Sequence, residues 1–155
     1  MKIFVSVGTR PNQFDRLVKE MDLLAKNKQM QVFIQNGNST YTPKYAKFTK
    51  FLGYAEQLKE IKSSELVVMH AGAGTLIDAL SNNKSIILFP RLEKFGEHTN
   101  DHQIELCQAI NKKYGIPYTL NEKELPELIK KSKPNSNKTT NKESKLLREI
   151  KSLLD

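Results

Sequence analysis

The segment VVMHAGAGTLIDAL, residues 67–80, constrains the fold of this 155-residue chain more than any other part of it. Its apolar start is typical of the end of a buried strand, and the residues after Thr75 have the spacing of an amphipathic helix. Between them, Gly72 and Gly74 form a turn at which another group can approach the main chain closely. A strand, a glycine turn and a helix in this order predict one unit of an α/β fold.

The same alternation of strands and helices continues along the chain. Strands are predicted at residues 2–7, 31–35, 47–52, 65–69, 85–89 and 116–120, and helices begin near residues 12, 54, 75, 100 and 122. Asn12 is the predicted cap of the first helix. Five of the seven glycines (Gly8, Gly37, Gly53, Gly72 and Gly74) follow strands. The alternation predicts a Rossmann-like, mostly parallel sheet, with a ligand site at the carboxyl ends of its strands.

The domain organisation changes after residue 132. Residues 1–132 are predicted to form a nucleotide-sugar-binding domain, and the Pro/Asn/Ser/Lys/Thr-rich residues 133–141 are predicted to be a linker. Residues 142–155 then form a terminal amphipathic helix. Its apolar stripe consists of Leu146, Leu147, Ile150, Leu153 and Leu154. This stripe packs either on the chain's own domain or on a partner.

Composition narrows the functional classes. The formal net charge is +8, with dispersed lysines that fit either a solvated surface or a face toward an anionic membrane. We predict no nucleic-acid partner, because RNP-type aromatic motifs, zinc-finger spacings and long basic runs do not occur. The start of the chain is expected to be a strand rather than a signal peptide. Cys107 is the single cysteine, which is typical of a reducing compartment, so a cytoplasmic location is expected.

The glycine turn has the features of a nucleotide site. The first N–H groups of a helix at Thr75 have no partner within the helix and favour a phosphate. Asp78 follows one turn later as an acceptor suited to ribose hydroxyl groups. The alternative is that the small residues serve only a tight connection between strand and helix.

A second polar cluster follows the next predicted strand. Residues 97–103 contain two histidines, two carboxylates and two amides. This cluster is interpreted as a sugar and phosphate site, as helix capping at Asn100 or Asp101, or as a metal site based on His98 and His102. The metal interpretation has little support, because His98 precedes the predicted helix and no cysteine lies nearby.

Four motifs together resemble a known family. They are VGTRPNQFDRLV at 7–18, FLGY at 51–54, HAGAGT at 70–75 and GEHTNDHQ at 96–103. In this order they resemble the donor-binding, C-terminal half of family 28 glycosyltransferases. The similarity covers about residues 2–110. Within that family it is nearest to the PssE-type subunits of capsule and exopolysaccharide synthesis, and to the catalytic subunit of the dolichol-pathway N-acetylglucosamine transferase.

The resemblance implies a UDP-sugar site in one half of a GT-B glycosyltransferase. It implies that the main chain near Leu52 holds the uracil and that Asp78 holds the ribose, although the wider family often has glutamate at that position. The residues implied around the diphosphate are Gly8, Thr9, His70, Ala71, Gly72, Ala73, Gly74 and Thr75, and those implied for the diphosphate and sugar are Asn100, Asp101, His102 and Gln103. No Asp-x-Asp pair occurs, so neither a metal nor a cofactor is expected.

The resemblance also implies an activity. It is inverting, metal-independent transfer of a sugar from a UDP-sugar to a lipid-linked saccharide in capsular or exopolysaccharide synthesis. A membrane-anchored subunit is expected to supply the acceptor domain and to hold the chain at the inner face of the membrane. The catalytic base is His98, His102 or a group of that partner. The alternatives are a non-catalytic nucleotide-binding or regulatory subunit, and a dehydrogenase-type domain, which lacks its third glycine and has Gln35 and Asn36 where an acidic residue is needed.

Overall fold

A computed structural model describes residues 1–132, 145 and 147–152 and contains one sheet of five parallel strands. The strands are β1 (Lys2–Ser6), β2 (Gln31–Gln35), β3 (Lys47–Thr49), β4 (Leu66–Met69) and β5 (Ser85–Leu88). They are ordered β3-β2-β1-β4-β5, and every neighbouring pair is parallel. The predicted Rossmann-like α/β class is confirmed.

Helices cover both faces of the sheet. They are α1 (Asp15–Leu24), α2 (Tyr54–Ser63), α3 (Ala73–Ser81), α4 (His102–Tyr114) and α5 (Leu125–Lys131), with 3-10 turns at Glu93–Phe95 and Glu122–Glu124. Side chains of β1 alternate between the two faces: Ile3 and Val5 pack with α1 and α5, whereas Phe4 packs with α3 and α4. Burying both faces explains why the strands are continuous apolar runs.

The strand predicted at 116–120 is wrong. Only one isolated bridge forms there, between Leu88 and Tyr118, with bonds from Leu88 N–H to Pro117 O (3.0 Å) and from Thr119 N–H to Leu88 O (3.2 Å). In a parallel ladder the next bonds on either side need N–H groups from Pro117 and Pro90, and proline has none. The two prolines therefore limit this pairing to a single bridge.

Several predicted boundaries are also wrong. The first helix begins at Asp15, not near Asn12, because the Asn12 amide donates to Gly96 O (3.1 Å) instead of capping. The third strand ends at Thr49, where the main chain turns to bond the loop after β2. The fourth helix begins at His102 rather than Asn100.

The terminal segment packs on its own domain. Residues 147–152 are helical, Ile150 is fully buried among side chains that include Ile110 of α4, and Leu147 packs against the same cluster. Lys113 Nζ pairs with Glu149 Oε2 at 2.8 Å. The alternative in which the stripe docks on a partner is therefore wrong for these two residues. The predicted linker and Leu146, Leu153 and Leu154 lie outside the described residues.

Across the described residues, no helix has the length and apolar character that a membrane crossing requires.

Candidate functional site

A cavity of about 360 Å³ opens at the carboxyl ends of β1, β3 and β4. Its walls come from the loops after these strands and from the first turns of α2 and α3. The lining residues are Gly8, Thr9, Arg10, Gln35, Phe51, Leu52, Tyr54, Gln57, His70, Gly72, Ala73, Gly74, Thr75 and Asp78. The three motifs at 7–18, 51–54 and 70–75 thus meet in one place. Ala71 lies outside this wall, buried in the core beneath it.

The amino terminus of α3 gives the cavity a positive end. Gly72 is extended, the helix begins at Ala73, and its first turn has neither a side-chain cap nor an acidic residue. The N–H groups of the first three residues therefore have no acceptor within the helix. A Cβ atom on Gly74 would find no other atom within 4 Å, so the space beside these donors is open. This arrangement suits an anion such as a phosphate.

His70 is enclosed by two glycines. A Cβ atom on Gly8 would lie 2.4 Å from His70 Nε2, and one on Gly72 would lie 2.3 Å from His70 Cε1. The imidazole thus occupies the space that both glycines leave free. The sequence predicts that Gly72 lets a ligand approach the main chain. In the structure, its missing side chain makes room for His70 instead. Gly74 is the position that leaves room in the cavity.

Hydrogen bonds determine which nitrogen of His70 has the proton. Gln103 Oε1 accepts from Arg91 N–H (2.9 Å), so the Gln103 amide group faces His70 Nδ1 at 3.3 Å and donates to it. Burial, with help from Arg91, His98 and Arg10, lowers the pKa of His70 to about 3. His70 is therefore neutral at physiological pH, with its proton on Nε2. It is a hydrogen-bond donor between the two glycine loops.

Arg10 is the cation of the cavity wall. It lowers the pKa values of His70 and His98, although burial is the larger cause for both. Its Nε is shielded from solvent and has no hydrogen-bond partner among the described residues. A buried donor without an acceptor is unfavourable, so an anion in the cavity would be stabilised by bonding to it.

We predict that Arg10→Gln weakens UDP binding by about 1.5–3 kcal/mol, the usual value of a hydrogen bond to a charged group. Calorimetry with UDP measures the change, and thermal unfolding is expected to stay the same because Arg10 Nε bonds nothing in the described protein. Uridine, which has no phosphate, is the control ligand, and its binding by NMR titration is expected to be unaffected. An equal loss for UDP and uridine would contradict a phosphate contact.

The polar cluster at 97–103 mainly organises its own loop. Glu97 is buried and forms a two-pronged pair with Arg16 (3.0 and 3.1 Å) while accepting from Leu92 N–H. Asp101 accepts from Glu93 N–H, and Asn100 accepts from His102 N–H. Of the four residues implied to contact the diphosphate and sugar, none lines the cavity, and Gln103 reaches it only through His70. Their direct contacts with a ligand remain predictions.

The two candidate bases differ in their surroundings. His98 Nδ1 accepts from Asn100 N–H (3.2 Å), so the neutral ring has its proton on Nε2 and offers a donor rather than a free lone pair. Burial, then Arg10 and Arg91, lowers the pKa of His98 and favours this neutral form. His102 is exposed at the start of α4. A base role for His98 requires the bond to Asn100 to break first.

Arg91 ties together the loops that follow β1 and β5. It is fully buried, and its guanidinium donates to the carbonyl oxygens of Val7, Asn12 and Glu97. Burial lowers the pKa of Arg91 to about 10, which leaves it charged at neutral pH. The position of Arg10 on the first loop and of His98 on the second therefore depends on one side chain.

The far end of the cavity suits a nucleoside. Asp78 Oδ1 accepts from the Tyr54 hydroxyl (3.3 Å), and Gln57 Nε2 donates to Thr75 Oγ1 (3.2 Å). Phe51 and Tyr54 are exposed beside Leu52 and provide aromatic surface for a base. The Gln35 side-chain amide exchanges hydrogen bonds with the main chain of Gly8 and donates to Lys50 O (2.7 Å), so it joins the loops after β1 and β3.

Sequence reasoning missed several lining residues: Arg10, Gln35, Phe51, Tyr54 and Gln57. Arg10, Phe51 and Tyr54 lie inside the quoted motifs and next to residues that were chosen, so motif position could have identified them. Gln57 follows one turn of helix later and has no signal of its own. Among the described residues, no three His, Cys, Asp or Glu side chains converge as a metal site requires.

Several known proteins are similar to this chain. The model of the family described as the glycosyltransferase family 28 C-terminal domain matches residues 2–155. The UDP-N-acetylglucosamine transferase subunit ALG13 of Homo sapiens is 32% identical over 127 residues, which is 75% of this chain and 11% of that protein. Its counterpart in Mus musculus is 30% identical over 128 residues, 76% of this chain and 10% of that protein. The chain therefore spans about a tenth of the length of these relatives.

Solved structures share the fold. The glycotransferase of kitacinnamycin superposes with a TM-score of 0.66 at 16% identity, covering 97% of this chain and 39% of that one. CalG4, the calicheamicin glycosyltransferase, superposes with a TM-score of 0.61 at 10% identity, covering 97% of this chain and 38% of that one. At these identities the likeness concerns the fold alone, and it corresponds to less than half of each neighbour.

Proposed function

This chain belongs to the family of glycosyltransferase family 28 C-terminal domains, and we propose that it binds a UDP-sugar as the donor half of a two-subunit glycosyltransferase. The observation that carries the proposal is the cavity itself, where an uncapped helix terminus and Arg10 surround open space beside Gly74. The relatives are named transferase subunits that use UDP-N-acetylglucosamine, which makes it the first donor to test.

The proposed reaction is an inverting sugar transfer. An acceptor hydroxyl attacks the anomeric carbon on the side opposite UDP, the bond to the diphosphate oxygen breaks, and UDP leaves with the bonding electron pair. The α3 terminus, His70 Nε2–H and Arg10 would stabilise the negative charge that develops on the diphosphate. A base removes the proton of the attacking hydroxyl. His98, His102 and a group of the partner remain the candidates, with no metal or cofactor required.

The proposed acceptor is a lipid-linked saccharide in capsule or exopolysaccharide assembly, as the sequence motifs imply. A membrane-anchored subunit would contribute the acceptor domain and keep this chain at the cytoplasmic face of the membrane. The word subunit in the relatives' names supports a second polypeptide. A non-catalytic nucleotide-binding or regulatory subunit is the second candidate function.

Reconstitution tests the proposed function. The chain, a co-expressed acceptor-domain subunit and the complex are each assayed for transfer from UDP-N-acetylglucosamine to a lipid-linked saccharide. We expect turnover from the complex only, and its loss when the chain has the Gly74→Val substitution. Equal turnover by the acceptor subunit alone would favour the regulatory function, and full activity of the isolated chain would contradict the two-subunit enzyme.

We predict that Asp78→Ala weakens binding of UDP and of uridine equally, by about 1.5–3 kcal/mol, because ribose is common to both ligands. Calorimetry and NMR titration measure the two affinities. Tyr54→Phe is the matched control: it removes only the hydroxyl that now occupies Asp78 Oδ1, so it should leave the ribose contact intact. Unchanged affinity in the Asp78 variant would mean that the carboxylate is an ordinary surface charge.

A further inference from the structure

One edge of the sheet exposes aromatic and basic side chains together. Residues 41–55 contain three lysines, five aromatic residues and no acidic residue. Of the seven exposed large hydrophobic side chains among the described residues, four lie within residues 45–54. Phe51 and Tyr54 line the cavity. The edge patch, as we call it, consists of Lys44, Tyr45, Lys47 and Phe48 from this segment and of Lys26, which follows α1.

The fold holds the edge patch outward and rigid. β3 pairs only with β2, so its outer edge faces solvent, and Tyr45 and Phe48 are 51% and 41% exposed. The main chain beneath them is fixed, because the buried Asp22 carboxylate accepts from the N–H groups of Lys44 and Tyr45. The side chains are therefore displayed by a fixed support rather than by a free loop.

The charges of the edge patch are not paired, because the nearby Asp22 carboxylate is buried and accepts main-chain N–H groups instead. No ion pair between described residues includes Lys26, Lys44 or Lys47. Lys26 Nζ lies over the ring of Tyr45, 4.8 Å from its centre. Positive charge without an ion-pair partner, beside exposed aromatic rings, complements an anionic surface that also accepts apolar groups.

We propose that the edge patch binds the surface of an anionic lipid bilayer. Tyrosine and phenylalanine insert at the boundary between headgroups and acyl chains, and lysines are attracted to anionic headgroups. Strand addition by a protein partner is opposed by lysines along an unpaired edge. Stacking on a nucleic-acid base is opposed at Tyr45, since Lys26 covers one face of its ring. The overall charge of +8 adds attraction in the same direction.

This membrane contact goes beyond the proposed donor site and is independent of it. One of the loops that form the cavity, with Phe51 and Leu52, follows directly from β3, so a bilayer at this edge would lie near that wall of the site. An acceptor attached to a lipid would then be held close to the bound donor, and no additional segment of this protein would be needed to bring the two together.

Vesicle co-sedimentation of the full chain tests the proposal. Vesicles are either phosphatidylcholine alone or equal parts of phosphatidylcholine and phosphatidylglycerol. We expect binding only to the anionic vesicles, and less binding as salt is added. The double variant Lys44→Gln with Lys47→Gln is expected to bind about 30-fold more weakly, since each lysine near an anionic surface contributes roughly one kcal/mol. Tyr45→Ser with Phe48→Ser should reduce the binding that survives added salt.

Matched controls separate the edge patch from charge and exposure in general. Lys59→Gln with Lys62→Gln removes the same charge from α2, whose last turn lies beside Lys84 at the start of β5, the strand at the other edge of the sheet. Phe95→Ser removes a ring of similar exposure elsewhere. Both should bind vesicles almost normally.

Equal loss in patch and control variants, or no binding to anionic vesicles at low salt, would overturn the proposal. So would patch-dependent binding of an oligonucleotide or self-association without vesicle binding. UDP affinity is measured in parallel for each variant. It shows whether the donor-site proposal fails independently of the membrane proposal.

Discussion

Gly74→Val is expected to lower UDP affinity at least about 100-fold while leaving the melting temperature almost unchanged. A Cβ atom at this position would meet no other atom within 4 Å, so the protein itself can accommodate the larger side chain. Valine is no worse than glycine for the helix, because glycine has one of the lowest helix propensities. The isopropyl group would instead fill the space beside the free N–H groups of α3, where a phosphate must lie.

A neighbouring glycine provides the contrast. Gly72→Ala places its methyl group 2.3 Å from the His70 ring, so His70 must move and the affinity and the stability should fall together. Gly74→Ala, which adds one methyl group to open space, should reduce UDP affinity less than valine does. Calorimetry and thermal unfolding of the three variants distinguish the two interpretations of the glycine turn. If Gly74→Val is unstable or binds UDP normally, the turn serves only the connection between strand and helix.

The sequence predicted the architecture because the strands are buried on both faces. Such strands are apolar runs that end at glycines, and their spacing leaves little choice of topology. The error at 116–120 came from the same rule, since Ile116, Tyr118 and Leu120 are large hydrophobic residues. Pro117 and Pro90 prevent a continuous ladder by their missing N–H groups. This effect depends on register, which cannot be obtained from the sequence alone.

Motif position identifies the loops around the cavity but not the direction of each side chain. His70, Thr75 and Asp78 line the cavity, and their contacts with a ligand remain predictions. Residues 97–103 contain polar groups that can bind ligands or their own backbone equally well, and here the loop uses Glu97 and Asp101 for its own hydrogen bonds. Which use prevails depends on partners distant in sequence, such as Arg16. Arg10 was missed although it lies inside the first motif, because motif position does not show which side chains face the cavity.

Asp22→Ala is expected to produce the largest loss of stability, about 3–5 kcal/mol in the free energy of unfolding. Asp22 is fully buried and accepts from the N–H groups of Lys44, Tyr45 and Ala46 at 2.8–2.9 Å and from the Tyr41 hydroxyl at 2.7 Å. Each buried donor left without an acceptor costs roughly 1–3 kcal/mol, reduced where water can replace it. Because domains are stable by only about 5–15 kcal/mol, this loss would be a large fraction of the total.

Urea denaturation measures this loss, and two variants provide its scale. Asp22→Asn keeps one acceptor oxygen and should lose about half as much stability. Asp15→Ala removes a carboxylate that also accepts from two N–H groups, of Thr40 and Tyr41, and from the Thr40 hydroxyl, but at a half-buried position that water can reach. Its expected loss is about 1 kcal/mol. Similar losses for Asp15→Ala and Asp22→Ala would mean that burial of the Asp22 carboxylate is not the source of its effect.

The pH dependence of stability gives an independent test of Asp22. Burial alone would raise its pKa, but the hydrogen bonds from Lys44, Tyr41, Ala46 and Tyr45 outweigh burial and hold the pKa below the ordinary value of 3.8. As pH falls below 3.8, the unfolded chain takes up this proton before the folded protein does, so the free energy of unfolding decreases. Asp22→Asn removes the titrating group, and its stability should decline less over the same acid range. Parallel acid profiles for Asp22→Asn and the unmodified chain would contradict a stabilising buried carboxylate, whatever the size of the loss at neutral pH.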